Sequence, residues 1–391
     1  MSTSSAATAR KGRWAVAAMF AANGFVTGGW APQIPMLLSR LEIRETTLGL
    51  LILVFGLGAL VAMPTCGYLM ARHGSRPMLR MFAVACSFGL AAVAIVPNLW
   101  LAVPAMFFFG GCIGAMDVAM NTNAVAVERH LGRGIMSSSH GFWSLGGFAG
   151  GALGGLAIEA FGYLTHAWLV AAISLVVVVV AWRHLVGETG FVVSERQRFA
   201  LPSSPLVYLV GLVALFAMIP EGAVLDWAAL YLQQEMGVGI AVAGFAYAAF
   251  SAAMAIMRFL GDAVRNRFGA VTTLRVSALI AAVGILVAGL APNAWTAIAA
   301  FAFAGFGVAN IVPIAFSAAG NQPGMASATG MSVVTTMGYS GILVAPSAIG
   351  FIGERTGFAP IFVVLAGLLV LVSAMAELAR SADFAVAQPA E

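Results

Sequence analysis

Residues 67–76 read Gly67-Tyr68-Leu69-Met70-Ala71-Arg72-His73-Gly74-Ser75-Arg76, and residues 262–271 read Asp262-Ala263-Val264-Arg265-Asn266-Arg267-Phe268-Gly269-Ala270-Val271. Each stretch closes one long apolar run and opens the next. Each therefore reads as a tight turn in which a glycine reverses the chain and arginines stay at a polar boundary. The two are 195 residues apart, half of a 391-residue chain, with Gly67 opposite Asp262, Arg72 opposite Arg267 and Gly74 opposite Gly269. The same offset sets Glu159 on Glu354 and Gly162 on Gly357; offsets of 193 and 197 set Asp117 on Asn310, Gly114 on Gly307 and Trp30 on Trp227. A duplicated unit explains these pairs, and parallel repeats of this kind place a binding site at their interface near the bilayer midplane.

The material between the turns is membrane material. Of the residues 61% are hydrophobic and 9% charged, and the mean hydropathy is +0.97, a balance outside that of soluble globular chains. Runs able to cross a hydrocarbon core of roughly 30 Å recur near residues 14–38, 46–70, 78–97, 99–125, 137–160, 163–185, 205–232, 239–261, 271–291, 293–317, 325–350 and 358–379. The expected fold is an all-α membrane protein of twelve transmembrane helices. It divides into a cytoplasmic tail (1–13), a six-helix bundle (14–185), a cytoplasmic linker (186–204), a second six-helix bundle (205–379) and a cytoplasmic tail (380–391). With the N-terminus inside, only Arg40, Arg44 and Arg355 of the 19 Lys and Arg residues fall outside. That positive-inside bias orients both termini to the cytoplasm of a bacterial inner membrane, and the net charge of +4 reports topology and lipid contact rather than nucleic acid. Cys66, Cys86 and Cys112 sit inside predicted spans without metal or redox spacing and read as small apolar fillers.

Polar groups inside these spans are the candidate site. On a helix Asp117, Asn121 and Glu128 share one stripe with Gly110 and Gly114, and a carboxylate facing lipid would cost roughly 2.5–3.5 kcal/mol. Glu221 lies between Pro220 and Gly222, where a helix kinks and frees backbone groups. It is twelve residues before Gln233, about 18 Å from the outer boundary, hence near the midplane. Asp117 and Glu221, one in each half, are the candidate proton carriers. Asp226 lies nearer the outer end beside Trp227, lining a vestibule or sitting in the aromatic belt. His140 stands near the cytoplasmic start of its span, as a hydrogen-bonding group or a solute ligand. Arg258, Arg265, Arg267 and Arg275 read as cytoplasmic-face residues.

The stretch 67–76 resembles the signature G-x-x-x-D-R-x-G-R-R of the major facilitator superfamily, carried by Gly67, Arg72, Gly74 and Arg76, with Ala71 in place of the acid and Ser75 in place of a basic residue. Arg267 and Gly269 repeat it without the acid, leaving Asp262 as its one possible substitute. Glu128, Gly132 and Arg133 resemble the family's E-x-x-x-G-R. Within the family the chain is similar to a bacterial branch that includes the rhizopine-locus membrane protein and, more distantly, fucose permease. The residues carrying this are Asp117 with Asn121, Ser138 to Trp143, Ser144 and Gly146, Glu221-Gly222, Asp226-Trp227, and Gly307, Ala309, Asn310 and Pro313. The resemblance implies two pseudo-symmetric six-helix bundles working by alternating access. It also implies that Asn23, Asn121 and Asn310 lie on cavity-lining helices. With Trp30, Trp143 and Trp227 they would offer amides and stacking faces to a sugar- or polyol-like solute, or to an amphipathic drug.

The expected function is secondary transport of a small organic solute, coupled to protons, with drug export as the alternative and a non-transporting membrane sensor as a third class. No cofactor is expected, and one chain holding both halves is expected to act as a monomer. There is no phosphate-binding G-x-x-x-x-G-K-[ST], Lys11 is the single lysine, and His73, His130, His140, His166 and His184 stand apart with neither H-E-x-x-H nor G-x-S-x-G nearby, which argues against ATP drive and against an enzyme.

Overall fold

The computed structural model describes residues 3–131, 135–187, 204–322, 325 and 327–383. Its helices are α1 (Thr3–Leu41), α2 (Glu45–His73), α3 (Ser75–Ala94), α4 (Leu99–Leu131), α5 (Met136–Phe161), α6 (Tyr163–Ala181), α7 (Pro205–Met236), α8 (Ile240–Phe268), α9 (Ala270–Gly289), α10 (Ala294–Gly320), α11 (Ser327–Thr356) and α12 (Ala359–Ala374). They correspond one to one with the apolar runs, and no strand occurs among the described residues. α2 to α11 are each long and apolar enough to cross a membrane, and α12 reaches that length and composition together with the segment Ala376–Ala382, which is bent by 52° against it. α1 is more polar because it carries Asn23, Thr27 and Gln33, yet all three are buried. It packs against α4, α5, α6 and α7, so its polar groups find protein partners instead of lipid.

The described part of the N-terminal tail continues α1, and residues 380–382 belong to a 3-10 segment whose Ala376, Ala379 and Ala382 are buried. Most of the linker, 188–203, lies outside the described residues.

The duplication goes one level deeper than the halves. α2, α5, α8 and α11 end on Gly74 (φ 83°), Gly162 (φ 82°), Gly269 (φ 79°) and Gly357 (φ 76°), and for the first three ψ is 160–163°. That region of backbone space is essentially closed to side-chain-bearing residues, which is why glycine recurs at the same turn in each three-helix unit. Within a bundle, glycines let backbones touch. A methyl group on Gly24 of α1 would lie 1.9 Å from the Trp143 carbonyl oxygen of α5, and one on Gly146 would lie 2.1 Å from the Ala21 carbonyl oxygen.

Two seams join the bundles, α2 against α11 and α5 against α8. At the end opposite the termini the first seam is closed. Gly350 meets Glu45, Gly49 meets Pro346 and Gly56 meets Leu343; Gln234 Nε2 donates to Glu45 Oε1 at 2.7 Å, the Thr46 N–H to Glu354 Oε2 at 3.3 Å, and Arg44 lies 3.6 Å from Glu354. Deeper in, Trp30 Nε1 donates to Asp226 Oδ1 at 3.4 Å across the bundles. Among the described residues no comparable seam joins α4 to α10 or α11, so the bundles are closed on each other at the end opposite the termini and are joined by fewer helix pairs at the other.

Candidate solute and proton site

Five helices bring their polar groups together between the bundles. On α4, Asn121 Nδ2 donates to the Asp117 carbonyl oxygen at 2.8 Å and to Asp117 Oδ1 at 3.2 Å. His140 Nε2 of α5 lies 3.2 Å from Asn121 Oδ1. An amide oxygen only accepts, so Nε2 carries the hydrogen and Nδ1 is left to accept. On the other side Glu221 Oε1 of α7 is 3.4 Å from Arg258 Nη2 of α8, whose Nη1 donates to Ser144 Oγ of α5 at 2.6 Å. The guanidinium sits 5.6 Å from the centre of the Trp143 ring, a cation–π contact. Trp143 in turn donates its indole N–H to Asn23 Oδ1 at 2.8 Å. Tyr339 of α11 lies within electrostatic reach of both Asp117 and Glu221 and is 38% exposed. Asp117, Asn121, His140, Trp143, Glu221 and Arg258 are all half-buried, the exposure expected of groups lining a cavity.

Residues singled out from the sequence thus divide into two sets. Asp117, Asn121, His140, Trp143 and Glu221 come together. Asn23 is buried with its amide engaged by Trp143 and by the Ile113 carbonyl oxygen at 3.4 Å, so it holds the Trp143 ring. Trp30 and Asp226 are buried on each other nearer the closed end. Trp227 is fully buried and stacked on Phe358, 5.3 Å between ring centres. Asn310 is buried on the α8–α10 seam against Gly261.

The loop residues have local work. Glu128 turns from the Asp117 stripe to accept the backbone N–H groups of Ile135 and Met136 at 2.6 and 2.9 Å, capping α5, as a carboxylate at a helix N-terminus should. Arg72 lies 4.5 Å over the Tyr68 ring, and Arg267 lies 5.5 Å over the Phe268 ring at the equivalent place. Arg76 packs near Gly187, and Gly67 has open space where a side chain would stand. Arg133 and the side chain of Asp262 lie outside the described residues.

Arg258 is a correction. The sequence reading assigned it to the cytoplasmic face with Arg265 and Arg267, whereas its side chain points inward and is 14% exposed. The signal was present: Arg258 falls inside the apolar run 239–261, where an arginine needs a partner. Tyr339, in Gly338-Tyr339-Ser340-Gly341, carried no distinguishing pattern. A depression of about 550 Å³ lined by Tyr231, Glu235, Asn293 and Trp295 lies at the closed end of the second bundle, away from these groups. No group of three or more potential metal ligands occurs among the described residues.

Two six-helix units joined along these seams match a family profile described as Major Facilitator Superfamily, over residues 16–223 and 210–388. The chain belongs to the major facilitator superfamily. It is a transporter of that family and not an enzyme, and an integral membrane protein. An uncharacterized transporter of the same type from Yersinia pestis is 34% identical over 354 residues, 90% of this chain and 92% of the relative. Membrane protein MosC of Rhizobium meliloti is 32% identical over 369 residues, 91% of this chain and 88% of the relative. The crystal structure of a D-xylose-proton symporter shares the superfamily fold with a TM-score of 0.71 at 14% identity, covering 93% of this chain and 96% of that one.

Proposed function

We propose that the protein carries a small organic solute, sugar- or polyol-like in preference to an amphipathic drug, across a bacterial inner membrane by alternating access coupled to protons. The observation that carries this reading is the pairing of Asp117 from one bundle with Glu221 from the other around one cavity, with Tyr339 in reach of both. A proton or a solute held there touches both moving parts, so its binding energy differs between the two arrangements, which is the condition for coupling. Asn121, His140 and Tyr339 supply donors and acceptors of the kind a hydroxylated solute uses, and Trp143 supplies a face on which a ring packs. The D-xylose-proton symporter of the same fold supports the sugar-like preference. Both termini and the arginine-rich turns are placed in the cytoplasm by the charge bias, which makes the arrangement described here the inward-open one.

Among the described residues, Glu221 has Arg258 as a counter-ion, and Asp117 has the Asn121 amide and no counter-ion. Asp117 is therefore the readier proton carrier in this arrangement, and Glu221 follows when Arg258 lets go. The test of the solute assignment is thermal-shift screening of the purified protein against sugars, inositols, amines and dyes, since a ligand of the native state raises its apparent stability. Trp143→Ala is expected to weaken a solute so found by about tenfold, roughly 1.4 kcal/mol, with the unliganded melting temperature little changed. Unchanged affinity would remove Trp143 from the binding surface.

A further inference from the structure

We infer that the first bundle, at the end that holds the termini, carries a phosphate-binding site built from Arg76 and Arg80 of α3 and from Trp182, where the chain leaves α6. The solute and proton assignments do not enter it. Arg80 Nη2 donates to the Trp182 carbonyl oxygen at 2.6 Å, and its guanidinium lies 5.0 Å from the centre of the Trp182 ring. Arg76 stands one turn earlier on α3, close enough for each cation to feel the other's charge. Both are half-buried, and the Nε atom of each is shielded from water without a hydrogen-bond partner. Among the described residues no carboxylate lies within ion-pair distance of either guanidinium.

The internal repeat supplies the comparison. The offset of 195 residues sets Arg80 on Arg275 and Trp182 on Glu377. In the second bundle that glutamate is in use: Arg275 Nη2 lies 2.8 Å from Glu377 Oε1, and Arg380 Nη2 lies 2.7 Å from Oε2. One carboxylate thus bridges two guanidiniums. The first bundle keeps the arginine and has Trp182 in place of the glutamate. It adds Arg76 where the second has Val271, and Arg183 where the second has Leu378. Neighbouring cations that lack their acid call for an anion from outside, and a phosphate offers guanidinium groups the same paired oxygens that a carboxylate does. The approach is open to a lipid as well. Met81, Val176, Val179 and Val180, just inside the site along α3 and α6, are 46–71% exposed, a face that acyl chains of the adjoining leaflet would cover while the headgroup meets the arginines. The phosphate of an anionic lipid and free inorganic phosphate share this chemistry, and the test separates them.

The experiment uses the purified full chain in detergent. Native mass spectrometry counts adducts of phosphatidylglycerol and of phosphatidylcholine, and a thermal shift with inorganic phosphate tests the free ion. Phosphatidylglycerol should bind more tightly than phosphatidylcholine. Arg76→Gln should weaken it about fivefold, the worth of one basic residue near a headgroup. Arg72→Gln is the control for diffuse charge: that guanidinium lies 4.5 Å over its own Tyr68 ring, and its loss should leave the affinity nearly unchanged. Trp182→Glu puts an acid where the second bundle has one and should remove the site. Glu377→Gln removes the internal acid of the second bundle and should add one phosphatidylglycerol there, on Arg275 and Arg380. A loss and a gain from exchanges at equivalent positions are not what a damaged fold produces.

Adducts that respond in this way, with no shift by inorganic phosphate, identify the occupant as a lipid headgroup. A shift by inorganic phosphate that Trp182→Glu abolishes identifies it as the free ion. Undiminished binding of both probes in a folded Trp182→Glu protein overturns the inference, and should that variant fail to fold, native binding in Arg76→Gln has the same force. Equal binding of phosphatidylcholine, an equal loss in Arg72→Gln, or a Glu377→Gln protein that gains no adduct overturns it too.

Discussion

Asp117→Asn is expected to abolish uphill accumulation of solute while leaving exchange of solute across the membrane intact. The substitution keeps the shape and the hydrogen bond to Asn121 but removes the proton. One unit of pH difference is worth about 1.4 kcal/mol and sustains a solute ratio of about ten when one proton accompanies one solute. The variant should hold the ratio at one whatever the gradient. Glu221→Gln should have the same end point by another route, because its loss also frees Arg258, and its exchange should be slower or less strictly gated. Counterflow in proteoliposomes with labelled solute separates the two. If both variants, singly and together, accumulate solute with the native pH dependence, neither acid is the coupling group.

Gly49→Leu is expected to leave a folded protein that hardly transports. A methyl on Gly49 would stand 2.7 Å from the Pro346 carbonyl oxygen and 3.0 Å from the Ser347 Cα, both across the closed seam on α11, so the added bulk is tolerated only when α2 and α11 separate there. Overpacking of about 1–3 kcal/mol borne by one arrangement alone shifts a two-state balance by roughly 5–150-fold. Cysteine at Gln234, which donates to Glu45 when the end is closed, should label several times faster in the Gly49→Leu background. Gly146→Leu is the contrast. Its clash, with Ala21 and Phe25 of the same bundle, exists in every arrangement and should cost expression and melting temperature instead. A Gly49→Leu protein with native labelling and native transport would refute the closed α2–α11 seam.

Helix count, turn positions and the internal repeat were legible because each rests on local rules. Apolar length sets a span, and a glycine is needed wherever φ is near 80°, so Gly74 and Gly269 announce their turns in the sequence. Asp117, Asn121, His140 and Glu221 were legible as well, since polar groups in hydrocarbon need partners. Asn310, Trp227 and Asn23 are buried, and their sequence context is the same for a packing group as for a solute ligand. A buried amide or indole serves packing as readily as solute, and only the rotation of α7 and α10 decides which. Arg258 was lost by counting arginines per loop, a procedure that gives a residue three positions inside its run the same weight as one beyond its end. The Glu221–Arg258–Ser144 chain needs the register of three helices from two bundles, and no periodicity in one chain carries that.

The most direct test of proton-coupled alternating access is the pH inside native proteoliposomes when a solute identified by thermal shift is added outside. The account predicts a change of internal pH that begins with the solute, saturates with its concentration and disappears in Asp117→Asn. Solute entry at equal rates with and without a pH difference, with internal pH unmoved, would contradict it.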